Sequence, residues 1–336
     1  MAFLSEVPDI EIKKPLFCSI LANTLLSTVP GISGAGPTAE LTLLTPILDA
    51  ELIMNGEITS APTKPNTPTG CPTPAVITRA MMELTGISPL FVNAGLRHSP
   101  TVPCIDALGS VGEDPRYRDA VPSAHDLYRR GEMIGRFLSA YSDLLVLGEC
   151  IPGGTTTALC ILKALGYDAA VSSSFAKNPM NEKEKICEQA MARIRTAGIS
   201  DPLDVVRATG DPMMPVAAGI AHTYRGTLVL AGGTQMLAVC AVIKAMNYPL
   251  PLVVTTAYVR DDPTANVVTV AGEIGVTMNF VDPGFGTLGH SGLARYCIGE
   301  VKEGMGAGGA MFLAYCMGFS PEKIQKKIFD TVTAFS

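Results

Sequence analysis

Charge is the first thing this chain is short of. Of its 336 residues only 17% are Asp, Glu, Lys or Arg, while 47% are hydrophobic. That balance excludes a disordered, solvated chain and leads to the expectation of a large buried core. No basic run is present and the formal net charge is −6, which argues against the counterion-releasing phosphate contacts of a nucleic-acid binder. The nine cysteines (Cys18, Cys71, Cys104, Cys150, Cys160, Cys187, Cys240, Cys297 and Cys316) contain no C-x-x-C pair. Their odd number and scatter point to thiols in a reducing cytoplasm rather than to disulfides or a zinc site. His98, His125, His222 and His290 also lack metal-ligand spacing, so neither a metal nor a cofactor is expected.

Uninterrupted apolar runs are missing too. The stretch KKPLFCSILANTLLSTVP (13–30) mimics a signal peptide, but Asp9 and Glu11 precede it and Asn23, Thr24 and Ser27 break it. The run LVLAGGTQMLAVCAVIKAM (228–246) is interrupted by Gly232, Gly233, Thr234 and Gln235. Neither a cleaved leader nor a membrane span is expected, and the reading is a soluble cytoplasmic protein without a membrane partner.

What the chain does have is glycine and proline, 33 and 25 residues, and short apolar runs that alternate with amphipathic stretches. The runs at 90–95, 143–149, 227–233 and 251–257 are continuous enough to be strands covered on both faces. Helices are expected at 74–85, 125–140, 155–165, 181–197, 213–223 and 234–246. This alternation predicts an α/β fold with three layers and a mainly parallel, Rossmann-like sheet. Residues 1–336 are expected to form one α/β domain, with the chain ends as candidates for a small helical part. The segment TSAPTKPNTPTGCPTP (59–74) is either a linker or a stiff, shaped loop.

Four glycine-rich segments could offer backbone N–H groups to an anion: GECIPGGTTTALC, ATGDPMMPVAAGI, AGGTQMLAVC and KEGMGAGGAMFLA. Three of them place an apolar or extended piece before a glycine turn and a small-residue helix after it. The free N–H groups and dipole of such a helix favour phosphate. A tight turn with a good N-cap explains any one of them alone; several together favour a shared cleft at the strand C-termini. Two further matches fail on context. Gly304, Gly306 and Gly309 fit G-x-G-x-x-G, but the preceding ARYCIGEVKE is no buried strand. GHSGL (289–293) ends in Leu293 where a nucleophile elbow needs glycine. GGTTT also lacks the lysine of a triphosphate-binding loop, which leaves a monophosphate held without metal.

The run GECIPGGTTTA (148–158) resembles the G-E-M-G-I-G-N-T-T-P-A signature of the nicotinate-nucleotide:dimethylbenzimidazole phosphoribosyltransferases. The resemblance continues in order along most of the chain. TPAVITRAMME followed by FVNAGL is similar to that family's Y-P-x-x-V-T-x-x-M helix and D-A-G-V strand end. GDPMMPVAAGIA resembles its G-G-F-E-I-A-A-L-A-G-A turn, LVLAGGTQMLAVCAV its L-L-D-G-F-I-x-x-A-A-A-L element, and KEGMGAGGA its C-terminal G-E-G-S-G-A loop. The chain looks like a divergent, archaeal-type branch. The resemblance implies transfer of the phosphoribosyl group of nicotinate mononucleotide to a benzimidazole-type base. The products would be α-ribazole phosphate and nicotinate, for the lower ligand of cobalamin. It also implies a parallel α/β sheet and a homodimer or higher homo-oligomer.

By the same resemblance, Glu303 is the catalytic base; a solvated surface acid beside Lys302 is the alternative. Glu149, Gly153, Gly154, Thr155 and Thr156 would hold ribose and phosphate. Gly210, Asp211, Gly232, Gly233, Thr234, Thr256, Gly304 and Gly306 would complete the cleft, with Asp211 also readable as a helix cap. Pro74 and Met81 would wall the base pocket, although Met81 also reads as plain core. The sequence departs from the family at Ile151 and Gly154 in the phosphate loop, at Ala80 in the base pocket, at Gly232, and at Thr255 and Thr256, where the family has serine and histidine. The rivals are a phosphoribosyltransferase with another donor or acceptor and a non-catalytic binder of a phosphorylated metabolite.

Overall fold

Residues 15–22, inside the stretch that mimics a signal peptide, form an interior strand of the sheet. The computed structural model describes residues 2–335. In it β1 (Pro15–Ala22) lies between β2 (Leu90–Gly95) and β4 (Leu144–Cys150). The sheet is completed by β3 (Ile105–Asp106), β5 (Thr227–Ala231), β6 (Leu252–Thr256) and β7 (Met278–Val281). The order is β3-β2-β1-β4-β5-β6-β7, and every pairing between these strands is parallel. The four expected strands are present at nearly their expected bounds; β1, β3 and β7 are additions.

All seven residues of β4 are buried, as a strand covered on both faces requires. Leu145 and Leu147 point into one apolar layer and Leu144 and Val146 into the other. The first layer is built by α3 (Ala124–Ser139), α4 (Gly154–Ala164), α5 (Met180–Ala197), α6 (Pro202–Thr209), α7 (Met213–Thr223), α8 (Thr234–Ala245) and α10 (Val267–Ile274). The second comes from both ends of the chain. There α1 (Ala39–Asn55), α12 (Ala307–Cys316) and α13 (Pro321–Ala334) pack around α2 (Pro74–Thr85). Two short helices, α9 (Ala257–Arg260) and α11 (Ser291–Ala294), lie in connecting segments. The six expected helices agree with α2, α3, α4, α5, α7 and α8.

Helix α12 rests directly on β4, β5 and β6. It can do so because of its glycines: a Cβ on Gly309 would overlap the Ala231 Cβ and come within 2.9 Å of Val146. At the far edge, residues 3–5 cover β7 through an antiparallel bridge between Leu4 and Val281 and a hydrogen bond from Ser5 N to Phe280 O at 3.0 Å. The 59–74 segment is a shaped loop, closed by an Asn66–Pro72 bridge and by Thr73 N donating to Pro65 O at 2.8 Å. Among the described residues the nine cysteines are free, Cys297 alone being exposed, and no helix is long and apolar enough to cross a membrane.

Candidate active site

The chain reverses its winding direction between β1 and β4, which stay paired as far as Leu21 and Cys150, and the segments that leave the two strands in opposite directions frame a crevice there. A cavity of about 420 Å³ opens at that end of the sheet. Its floor is the turn that leaves β4. There Gly153 adopts φ 82°, and a Cβ on it would lie 3.0 Å from Ser27 N, so only glycine fits without strain. Gly153 is the N-cap of α4, and Gly153, Gly154 and Thr155 face the cavity. A second helix N-terminus, that of α8, brings Gly233, Thr234 and Gln235 to the same space. The buried Thr234 hydroxyl there, and the Thr156 hydroxyl behind it, have no hydrogen-bond partner among the described residues.

Glu303 lines the opposite wall on the segment leading into α12. One carboxylate oxygen accepts from Gly304 N at 3.1 Å and Gly308 N at 3.2 Å, the other from Thr255 Oγ1 and Thr256 N, both at 3.2 Å. Burial nevertheless outweighs these donors and pushes the Glu303 carboxyl up to about 7. Glu149, buried at the end of β4, accepts from Gln235 Nε2 at 2.8 Å and Ile151 N at 3.2 Å. Burial, then the charges of Asp211 and Glu303, raise its carboxyl to about 8. Two carboxyls that titrate near neutrality on one cavity mark a place where protons can be exchanged.

The other expected residues fall into two groups. Pro74 and Gly304 line the cavity and touch each other: a Cβ on Gly304 would come 3.2 Å from Pro74 Cγ. Thr156, Gly210, Asp211, Gly232, Thr256, Gly306 and Met81 stand behind the lining rather than in it. Asp211 is fully buried, accepts from Thr157 Oγ1 at 2.6 Å and caps the start of α7 through Met213 N at 3.1 Å. Gly306 (φ 67°) is pressed on Gly148, where a Cβ would lie 3.1 Å from the Gly148 Cα. Met81 is core of α2. Thr256 Oγ1 donates to Lys302 O at 2.5 Å and so fixes the Glu303 backbone from below.

Residues without a sequence assignment also reach the cavity. Gln235 holds Glu149, and Lys302 anchors the 172–175 wall by donating to Ser173 O at 2.8 Å while facing Asp262 at 3.3 Å. The buried Lys183 supports the same wall through Ser172 O at 2.8 Å. Asp49 comes from α1, together with Leu41, Thr45 and Leu48. An acid in the middle of LTPILDAELIM, on the helical face shared by those three positions, was the available signal for it.

No family model matches the chain. The UPF0284 protein of Methanosarcina mazei is 42% identical to it over 341 residues, spanning 98% of this chain and 97% of its own. The UPF0284 protein of Thermococcus gammatolerans is 44% identical over 322 residues, 93% and 96% of the two chains. Among solved structures, the nicotinate-nucleotide-dimethylbenzimidazole phosphoribosyltransferase of Thermus thermophilus is similar with a TM-score of 0.63 at 16% identity, over 95% of this chain and 84% of its own. A structure of CobT from the same organism gives 0.60 at 16% identity over the same shares. At that identity the likeness establishes the fold, a seven-stranded parallel α/β architecture of the CobT kind.

Proposed function

The chain belongs to the UPF0284 family, and from that premise we propose that it transfers the phosphoribosyl group of nicotinate mononucleotide to an azole base of the benzimidazole type, releasing nicotinate and forming an α-ribazole phosphate for cobalamin lower-ligand assembly. One observation carries the reading: the α4 N-terminus and the Glu303 carboxylate open on the same cavity at the switch point of the sheet.

The phosphate sits at Gly153, Gly154 and Thr155, where the helix dipole favours an anion, and the unpartnered Thr234 hydroxyl supplies a further donor. Glu149 faces the ribose. The azole lies on the surface that Pro74 and Gly304 form together, with its N–H toward Glu303. As the other azole nitrogen bonds to C1′, the bond from C1′ to the pyridinium nitrogen breaks and its electron pair neutralises that ring. The nicotinate therefore leaves without needing a proton. Glu303 takes the azole proton, and its raised pKa of about 7 makes it a stronger base than an ordinary carboxylate. Orientation of the two reactants and the fixed phosphate supply the rest of the rate.

The test is to incubate the protein with nicotinate mononucleotide and benzimidazole and detect nicotinate and ribazole phosphate together by mass. Glu303→Gln is expected to lower kcat by roughly 10²- to 10⁴-fold while nucleotide binding persists. A second reading, a non-catalytic binder of a phosphorylated metabolite, is favoured by Gly308 N, because a carboxylate that caps α12 has a structural use without chemistry. That reading expects tight nucleotide binding, no products, and indifference of binding to Glu303→Gln.

A further inference from the structure

A third carboxyl faces the cavity from an element that contributes none of the atoms placed above. Asp49 is on α1, 8% exposed, and its oxygens meet only weak donors among the described residues: Thr73 Oγ1 at 3.2 Å and the Cys150 thiol at 3.8 Å. A carboxylate has about four lone-pair positions, so this acid is under-satisfied on the side where the protein leaves open space. Burial pushes its carboxyl up to about 7, with Thr73 and Cys150 only partly opposing. Thr73 is the N-cap of α2, yet its hydroxyl makes no cap hydrogen bond and turns to Asp49 instead.

That position ties Asp49 to the wall holding the proposed acceptor. Thr73 is followed by Pro74, which touches Gly304 beside Glu303, and Thr78 Oγ1 donates to Met305 O at 3.0 Å. An acceptor presenting its N–H to Glu303 and stacked on Pro74 would bring its far edge toward α1. Two methyl groups on that edge would leave a buried acid with nothing better than a thiol and one hydroxyl. An amino or hydroxyl group would complete it.

We infer that Asp49 is the specificity-determining residue of the acceptor pocket and that it selects an azole carrying a hydrogen-bond donor, amino or hydroxyl, on the ring edge away from the reacting nitrogen. The inference rests on the phosphoribosyl-transfer reading for the placement of the base, but its test does not require turnover. Calorimetric binding of 5-aminobenzimidazole, benzimidazole and 5,6-dimethylbenzimidazole to the full chain is the measurement. The amino compound is expected to bind roughly tenfold to a hundredfold more tightly than the dimethyl compound. Asp49→Leu removes or reverses that preference while benzimidazole itself stays within about threefold of the unmodified protein. Should Asp49→Leu fail to fold, Asp49→Asn carries the test: a neutral acceptor of the same shape narrows the preference about fivefold.

Three results overturn the inference: the unmodified protein binds the dimethyl compound as tightly as the amino one, binds none of the three bases, or loses all three equally on Asp49 substitution, which is what a residue that merely steadies Thr73 would give. Selective base binding without nicotinate release breaks the transfer reading and leaves the selectivity of Asp49 standing. Nicotinate release from nicotinate mononucleotide at the same rate with every base breaks the inference and leaves the transfer.

Discussion

Of the glycine turns that reach the cavity, those into α12 and α4 use their backbone N–H groups in opposite ways. At the turn into α12, the carboxylate of Glu303 already occupies Gly304 N and Gly308 N, and Met305 N donates to Glu149 O at 3.1 Å. The anion this helix attracts is built into the chain. At the turn into α4, Gly154 N and Thr156 N close local turns on Ile151 O and Gly153 O, both at 2.9 Å, and no side chain of the protein caps the helix. Glycine there keeps the floor bare. Two segments with similar composition thus have different uses: one fixes an acid in place, and the other leaves a positive helix end to whatever anion enters. Glycine content alone does not tell them apart; a glutamate three residues before the N-cap does.

The comparison can be broken most forcefully at Gly309. Valine there would meet Ala231 and Val146 beneath α12. Overpacking of this kind costs about 1–3 kcal/mol or more, and the expected outcome is a large fall in the chemical-denaturation midpoint or no folded protein at all. A milder result would mean that α12 can lift off the sheet and that Glu303 is not rigidly held. The next effect is on ligand affinity. Thr155→Asp gives the α4 turn the built-in carboxylate that the α12 turn already has. Nicotinate mononucleotide is then expected to bind roughly a hundredfold more weakly through like-charge repulsion. An acid in the first turn of a helix leaves thermal stability about unchanged. Unaltered binding would place the phosphate elsewhere.

The smallest effect is electrostatic. Burial holds Asp49 and Glu303 at about 7, Glu149 at about 8 and Asp211 at about 6, all above their ordinary values. A carboxyl raised in the folded state keeps a proton that the unfolded chain has already lost. The stability of the free protein should therefore fall as pH rises from about 5 to 7. Above pH 7 Lys183, held down to about 7 by burial and then by Lys302, works the other way. A melting temperature lower at pH 7 than at pH 5 by a few degrees is expected in calorimetry. A flat profile would mean that these acids are better solvated than their burial implies.

The strands at 90–95 and 143–149 were legible because continuous apolar runs bounded by glycine have one common use in an alternating α/β pattern. The run in 15–22 is as apolar, yet with lysines before it the stretch mimics a leader, and the acids and polar residues that argue against a leader do not by themselves mark a strand. A short apolar stretch does not reveal what covers it. Helix α1 was illegible for a related reason. Pro46 interrupts its pattern, and part of its surface faces a cavity instead of solvent or core. Of the cavity lining, the motifs 149–155, 233–234 and 303–304 were singled out through resemblance, and the structure brings them to one cavity. Asp49 was not, because α1 reaches the cavity only through the folded sheet; Gln235 and Lys302 adjoin those motifs, but their partners, Glu149 and Ser173, are far away in the sequence.

The pairing of residues 3–5 with β7 has a consequence for the order of events during synthesis. Those residues leave the ribosome more than 270 residues before their partners at 278–282. Strand β1 must likewise wait more than a hundred residues for β4. Such non-local pairing slows folding. Until β4 has been made the nascent chain carries β1 with one edge unpaired, and until β7 has been made the edge of β6 is uncovered, the condition in which chains associate wrongly. Yield of folded protein should therefore respond to the rate of synthesis and to chaperone supply more than the stability of the finished sheet would suggest.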